Sequence, residues 1–96
     1  MNVIPNIRNE FFRLEQNYPN PFKSDTEIKF ALTKPDFVRL SVLDVNGKLV
    51  QHVYADFFDA GIHSYTWDAS NLPSGIYAIK LDSNNSSKTM KCVLMR

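Results

Sequence analysis

This chain of 96 residues contains little cysteine and glycine, and it has almost no excess of charge of either sign. The single cysteine, Cys92, has no partner for an internal disulfide. A disulfide-stabilised scaffold is therefore excluded, although an extracellular location is not. Eleven basic and ten acidic residues almost cancel, which leaves a net charge of +1. A nucleic-acid-binding domain would carry a basic surplus on one face, so nucleic acid is not an expected partner.

Long apolar runs and helical periodicity are also missing. No apolar run approaches the ~20 residues of a membrane-spanning helix, so we expect no transmembrane segment. The N-terminus lacks the basic and then apolar pattern of a signal peptide, and any export signal would have to lie elsewhere or be of another kind. The length fits one domain with one modest hydrophobic core.

The residue patterns of catalytic and cofactor sites do not occur in this sequence. There is no Ser/His/Asp or Cys/His signature and no glycine-rich phosphate loop. His63 has no second ligand at a suitable spacing, because His52 lies alone on another predicted strand. The aspartates do not follow the pattern of a calcium loop. We therefore expect no enzymatic activity, no metal and no cofactor.

The only tryptophan, Trp67, lies in a stretch in which aromatic and polar residues alternate. His63 and Tyr65 share its face of a predicted strand, and the polar residues between them face water. Because Trp67 is the largest side chain available, we expect it in the core rather than in a catalytic or sugar-binding site. Asp68 is expected to accept a hydrogen bond from the turn that follows, and residues 76–81 form the next predicted strand.

Further strands are predicted at residues 26–32, 37–44, 49–54 and 89–96. The pair Asn46-Gly47 favours a type I′ turn, whose two central residues both need positive φ. Residues 55–60 are expected to form a loop whose phenylalanines cover one end of the core. About seven short strands, with turn signals roughly every ten residues, predict an all-β fold, a small antiparallel β-sandwich.

The N-terminal part of the chain divides into two predicted regions. Residues 1–13 have no clean period and are predicted to be a linker or an N-terminal arm, and residues 14–96 the domain. Two prolines within residues 17–22 exclude helix and central strand and predict a stiff, extended segment. Tyr18 and Phe22 are its expected apolar anchors, in a segment that serves either as a packed edge or in recognition.

Several short motifs follow one another along residues 14–96. Their positions are Asn17, Tyr18, Pro19, Asn20, Pro21 and Phe22, then Gly47, then Gly61, Trp67 and Asp68, then Pro73, Gly75 and Tyr77, and finally residues 91–96. Taken together, these motifs resemble the C-terminal sorting domain, type A, of the type IX (Por) secretion system. Some of them are also similar to the immunoglobulin-like domain of flagellar hook-capping proteins.

This resemblance implies an immunoglobulin-like β-sandwich at the C-terminus of a larger secreted protein of the Bacteroidetes or their neighbours. It implies that the type IX translocon recognises the domain and exports the upstream passenger through the periplasm and across the outer membrane. A sortase commonly then removes the domain and anchors the passenger, so the expected location is the outer-membrane surface or the extracellular space. The alternative is a structural or carbohydrate-associated spacer module of an extracellular enzyme.

The last predicted strand carries the candidate residues for recognition by the translocon, namely Lys91, Val93, Met95 and Arg96. An edge strand with free backbone groups could pair with a strand of the translocon. Alternatively, its basic residues only protect a solvated edge against aggregation. Cys92 stands where the family more often has methionine or another large apolar residue, and we expect it to weaken packing slightly without altering sorting.

Overall fold

The computed structural model describes residues 12–84 and 86–96, which form seven strands in two sheets. The strands are β1 (Phe12–Leu14), β2 (Asp25–Leu32), β3 (Asp36–Leu43), β4 (Leu49–Phe58), β5 (Gly61–Asp68), β6 (Gly75–Asp82) and β7 (Ser87–Leu94). One sheet has the order β1-β2-β5, the other has the order β4-β3-β6-β7, and all paired strands are antiparallel. This architecture confirms the predicted all-β sandwich. Within the described residues there is no helix that could cross a membrane.

Alternation along β2, β3 and β6 accounts for most of the buried faces of the sandwich. In β2, Ile28, Phe30 and Leu32 are buried, whereas Glu27 and Lys29 between them are exposed. This pattern follows because successive side chains of a strand point to opposite sides of the sheet. The same alternation buries Val38, Leu40 and Val42 in β3, and Tyr77, Ile79 and Leu81 in β6.

Trp67 is the largest fully buried side chain, with 1% of its surface exposed, which confirms its predicted place in the core. Its ring contacts that of Phe22, with the two centroids 5.5 Å apart. Its indole N–H donates a hydrogen bond to the Gln51 side-chain oxygen at 3.4 Å. His63 and Tyr65 are half-buried on the same face of β5, as predicted.

The hairpin between β3 and β4 differs from the predicted type I′ turn. Gly47 has a φ of +84°, but the φ of Asn46 is not positive. The Gly47 N–H donates to the Asp44 carbonyl at 3.0 Å, and the Asp44 carboxylate accepts the backbone N–H groups of Asn46 and Lys48, both at 2.9 Å. The aspartate side chain therefore favours a three-residue loop that ends on a left-handed glycine.

The loop predicted at residues 55–60 is wrong, because β4 continues to Phe58. The end of β4 pairs with the start of β3, so that Phe58 lies opposite Asp36. Phe58 packs against the core beside Phe30, but Phe57 is 62% exposed. Two register shifts in the pairing of β3 with β4 interrupt the alternation that would have indicated a long strand.

The predicted N-terminal arm, residues 1–13, lies largely outside the described residues. Its last two residues, Phe12 and Arg13, begin β1 and pair with Leu32 and Ala31 of β2. The first strand therefore completes the edge of the three-stranded sheet.

Candidate recognition site

The proline-containing segment between β1 and β2 runs beside the three-stranded sheet before it enters the core. The backbones of Tyr18 and Glu27 exchange two hydrogen bonds, at 3.1 and 2.9 Å. The peptide bonds that precede Pro19 and Pro21 are both cis. Of the two expected anchors, Phe22 is buried, whereas the Tyr18 side chain is 77% exposed. The segment thus presents one aromatic ring to solvent and places the other beside Trp67.

Asn17 holds this segment from the inside. It is fully buried, and its side-chain amide donates to the Thr26 hydroxyl at 3.0 Å and to the Pro19 carbonyl at 3.2 Å. The Thr26 hydroxyl also donates to the Pro19 carbonyl, at 2.8 Å, and the Gln16 side chain donates to the Asn17 side-chain oxygen, at 2.8 Å. Because a buried amide without partners would be costly, these bonds tie the path of the segment to β2.

The same segment forms hydrogen bonds with β7. The Phe22 N–H donates to the Val93 carbonyl at 3.0 Å, and the Phe22 carbonyl accepts from the Met95 N–H at 2.8 Å. The Asn20 side-chain oxygen accepts from the Val93 N–H at 2.9 Å. Phe22 and Leu94 form an isolated parallel bridge, so this contact has the geometry of strand pairing.

Gln16 extends the contact along β7, because its side-chain amide donates to the Lys91 carbonyl at 3.2 Å. Residues 16–22, which we call the clamp, therefore occupy the outer edge of β7 from Lys91 to Leu94 and also bond to Met95, which follows the strand because β7 ends at Leu94 and not at residue 96 as predicted. The expectation that the last strand offers free backbone donors and acceptors is wrong for this part of it. A partner strand could pair there only by displacing the clamp.

Arg96 is bound within the domain. Its guanidinium donates to the carbonyl of Ala69 at 2.7 Å and to that of Leu72, and its backbone N–H donates to the Ser74 hydroxyl at 3.2 Å. These contacts tie the residue to the loop between β5 and β6. Arg96 therefore has a structural role whatever it contributes to recognition.

The loop between β5 and β6 begins with the interaction predicted for Asp68. Its carboxylate accepts the Ser70 backbone N–H at 2.9 Å. This bond, a second one from the Ser70 side chain and the nearby charge of Arg96 lower the pKa of the Asp68 carboxyl. Farther along the loop, the Tyr77 hydroxyl donates to the Pro73 carbonyl at 2.6 Å. The motif residues Asp68, Pro73 and Tyr77 thus all take part in hydrogen bonds that fix the conformation of this loop.

Most of the motif positions lie at one end of the sandwich, where β2 and β6 begin and β5 and β7 end. They are Asn17, Tyr18, Pro19, Asn20, Pro21, Phe22, Gly47, Trp67, Asp68, Pro73, Gly75 and Tyr77. Gly61 lies at the opposite end, where its φ of +130° allows the chain to turn from β4 into β5. Gln16 and Ser74 also bond at the shared end, but their contacts are long-range and no local pattern indicated them.

The remaining candidate residues lie beside the clamp. Lys91 lines a shallow cleft on the outer face of the four-stranded sheet, together with Val45 and Ile76. Val93 is half-buried and pairs with Ile76. Met95 is 56% exposed. The structure therefore brings Lys91, Val93 and Met95 to one surface that mixes apolar and basic side chains.

Two other residues considered in the sequence are accounted for by packing. The His63 ring packs against Phe30 and Phe58, and its Nε2 lies 2.7 Å from the Asp59 carbonyl oxygen. Cys92 is fully buried, and burial raises the pKa of its thiol to about 11. Over residues 12–84 and 86–96, no cluster of three or more histidine, cysteine or acidic residues could hold a metal ion.

The region of the chain that matches a known protein family includes both the clamp and β7. The family model described as secretion system C-terminal sorting domain matches residues 16–95. The chain belongs to this family. The family is one of sorting signals for type IX secretion and not a catalytic family, and this role implies export to the cell surface or the extracellular space. A comparison with curated proteins found no match to this sorting domain.

Proposed function

We propose that the type IX translocon recognises this sorting domain through the clamp and the adjoining part of β7. The observation that carries the proposal is the pairing of Phe22 with Val93 and Met95, which joins the two ends of the matched region into one surface. Because the clamp already occupies the strand edge, recognition uses the side chains exposed around it. These side chains are the exposed Tyr18, Lys91 and Met95, together with the half-buried Val93.

In this proposal the domain directs an upstream passenger of the same chain from the periplasm across the outer membrane. A sortase then removes the domain and anchors the passenger at the cell surface. The family match supports the secretion role. Tyr18 is strongly exposed, although an aromatic residue that only anchored the segment would be buried. This exposure supports recognition at this end of the domain.

A fusion tests the secretion role. A soluble reporter with a periplasmic signal peptide is joined to residues 1–96, which keep β1 intact, and produced in a host that has a type IX system. The reporter should reach the cell surface or the medium. A folded fusion that stays in the periplasm would contradict the sorting role and favour the spacer module of an extracellular enzyme.

Substitutions in the same fusion test the recognition surface. Tyr18→Ala combined with Met95→Ala removes two exposed side chains and should lower export, while a thermal melt shows that the domain is still folded. Phe57→Ala is the matched control, because Phe57 is comparably exposed but lies at the other end of the sandwich. Normal export of the double variant, or an equal loss in the control, would show that this surface is not what the translocon reads.

A further inference from the structure

Four strands lie at the edges of the two sheets, and they differ in how they are protected. The edge strands are β1 and β5 in one sheet and β4 and β7 in the other. An edge strand presents unpaired N–H and C=O groups that can pair with another chain, so proteins usually shorten, bend, charge or cover such strands.

Three of these edges carry a protective feature. The clamp covers β7, and β1 spans only three of the described residues. The pairing of β4 with β3 has two register shifts, which bend the strand. In β4, moreover, the Val53 carbonyl accepts from the Tyr65 hydroxyl at 3.4 Å, and the Phe57 N–H donates to the Asp56 carboxylate at 2.7 Å.

The fourth edge, β5, has none of these features in the described residues. It pairs with β2 over eight residues without a register shift, and its outer side faces no other described strand. From residue 61 to residue 67 it contains no lysine, arginine, aspartate, glutamate or proline. Ile62, on this strand, is 72% exposed. The strand is thus regular and uncharged over most of its length, and no described strand pairs with its outer side.

The hydrogen bonds to β2 show which backbone groups of β5 point outward. The Ala69 N–H bonds to the Ser24 carbonyl at 2.7 Å, which continues the pairing of β5 with β2. In an antiparallel pair the bonding direction alternates along the strand. The backbone groups of Ile62, Ser64 and Thr66 therefore point away from β2.

We propose that β5 pairs with β5 of a second copy of this chain, antiparallel about a twofold axis at Ser64. Ile62 then lies opposite Thr66 of the second copy, and Ser64 lies opposite Ser64. Each of these pairs exchanges two backbone hydrogen bonds, so the two three-stranded sheets become one continuous sheet.

The side-chain pattern of β5 favours a second copy as the occupant. A twofold contact must be complementary to itself, and no like charges meet in this register. In this register the β-branched Ile62 lies opposite the β-branched Thr66 of the second copy at each end of the contact. Ser64 lies opposite Ser64 in the middle. This contact does not depend on the proposed recognition surface, because β1 and the clamp lie on the other side of β2.

Sedimentation velocity over a concentration series tests the dimer. The unmodified chain should dimerise, and Ile62→Lys should weaken the dimer about tenfold or more, because each dimer then carries two charges at the new junction. Val45→Lys is the matched control, since Val45 is 71% exposed on another surface, and it should leave dimerisation unchanged. A chain that stays monomeric at millimolar concentration, or an equal effect of the control, overturns the proposal.

A second variant tests the backbone pairing itself. Thr66→Pro removes an N–H that points outward but none that bonds to β2, so the domain should fold and the dimer should be lost. If this variant does not fold, a concentration series of amide NMR spectra on the unmodified chain replaces it. Shifts confined to residues 61–68 support the proposal, whereas shifts centred on β7 or the clamp overturn it.

Discussion

The side-chain oxygen of Asn20 accepts the backbone N–H of Val93 at 2.9 Å, across 73 positions of the sequence. An asparagine side chain here takes the role that a carbonyl of a neighbouring strand would have. Phe22 continues the pattern with two backbone bonds, to Val93 and Met95. The clamp therefore pairs with β7 as a short strand would, with one hydrogen bond from the Asn20 side chain and two from the Phe22 backbone. This pairing covers the β7 edge of the sandwich.

Asn20→Ala should lower the free energy of unfolding by about 1 kcal/mol, because the Val93 N–H loses its acceptor. Asn20→Asp is the matched control, since a carboxylate oxygen can accept the same bond and should retain most of the stability. Urea titrations of both variants and the unmodified chain measure the difference. Equal losses in the two variants would mean that the hydrogen bond is not what Asn20 contributes.

Trp67→Ala should cost about 3–5 kcal/mol of unfolding free energy, because it removes a fully buried ring and leaves a cavity beside Phe22. This loss approaches the total stability of many domains of this size. Trp67→Phe keeps an aromatic ring and should lose clearly less. Denaturant titration measures both values, and a loss below about 1 kcal/mol for the alanine variant would be incompatible with a central place in the core.

The strands with regular alternation could be predicted from sequence. In β2 the buried residues Ile28, Phe30 and Leu32 repeat with a period of two, which only a strand with one buried face produces. Trp67 was placed correctly for a similar reason, because its size and the polar residues on the opposite face of β5 leave it one stable location. The alternation of β2 and the buried position of Trp67 both follow from residues close to each other in the sequence.

The features that were missed depend on particular side chains or on distant partners. The Asn46-Gly47 pair indicated a turn, but the Asp44 carboxylate selects which turn forms. Phe57 and Phe58 belong to a strand that is fixed by its pairing with β3 rather than by its own pattern. The clamp was not predictable as a cover for β7, because its pairing joins segments that are 73 positions apart in the sequence and no local period indicates such a contact.

Cys92 should make stability depend on pH in the alkaline range. Burial raises the pKa of its thiol from 9.0 to about 11 in the folded chain. Below pH 9 the thiol is protonated in both states, so its contribution to stability is complete and does not change with pH. Between pH 9 and about 11 the unfolded chain loses this proton first, which favours unfolding, so this contribution is lost as the pH rises through the folded pKa.

The measurement compares the unmodified chain with Cys92→Val, which cannot titrate at this position. Urea titrations should give a constant difference in stability below pH 9 and a shift in favour of the valine variant as the pH approaches 11. All other titratable groups are common to both chains, so their effects cancel in the comparison. A difference that does not change with pH would show that the Cys92 thiolate is as well solvated in the folded chain as in the unfolded one.

Lys91 and Arg96 should respond differently to charge reversal, although the sequence grouped them as two basic residues of one strand. Lys91 is exposed at the rim of a cleft, so Lys91→Glu should change stability by less than about 0.5 kcal/mol. Arg96→Glu removes the donor to the carbonyls of Ala69 and Leu72 and places a carboxylate among acceptors, so it should cost about 1–2 kcal/mol. Thermal and urea unfolding of the two single variants measure the contrast. Arg96→Lys is the control that keeps the charge but loses the paired geometry, and its stability should fall between those of the unmodified chain and the glutamate variant.

Any test of the basic residues in sorting should therefore use Lys91→Glu, because a sorting defect in Arg96→Glu would combine lost recognition with a loosened β5–β6 loop. If Arg96→Glu is as stable as the unmodified chain, the guanidinium contacts contribute little to stability, and both basic residues become usable probes of recognition.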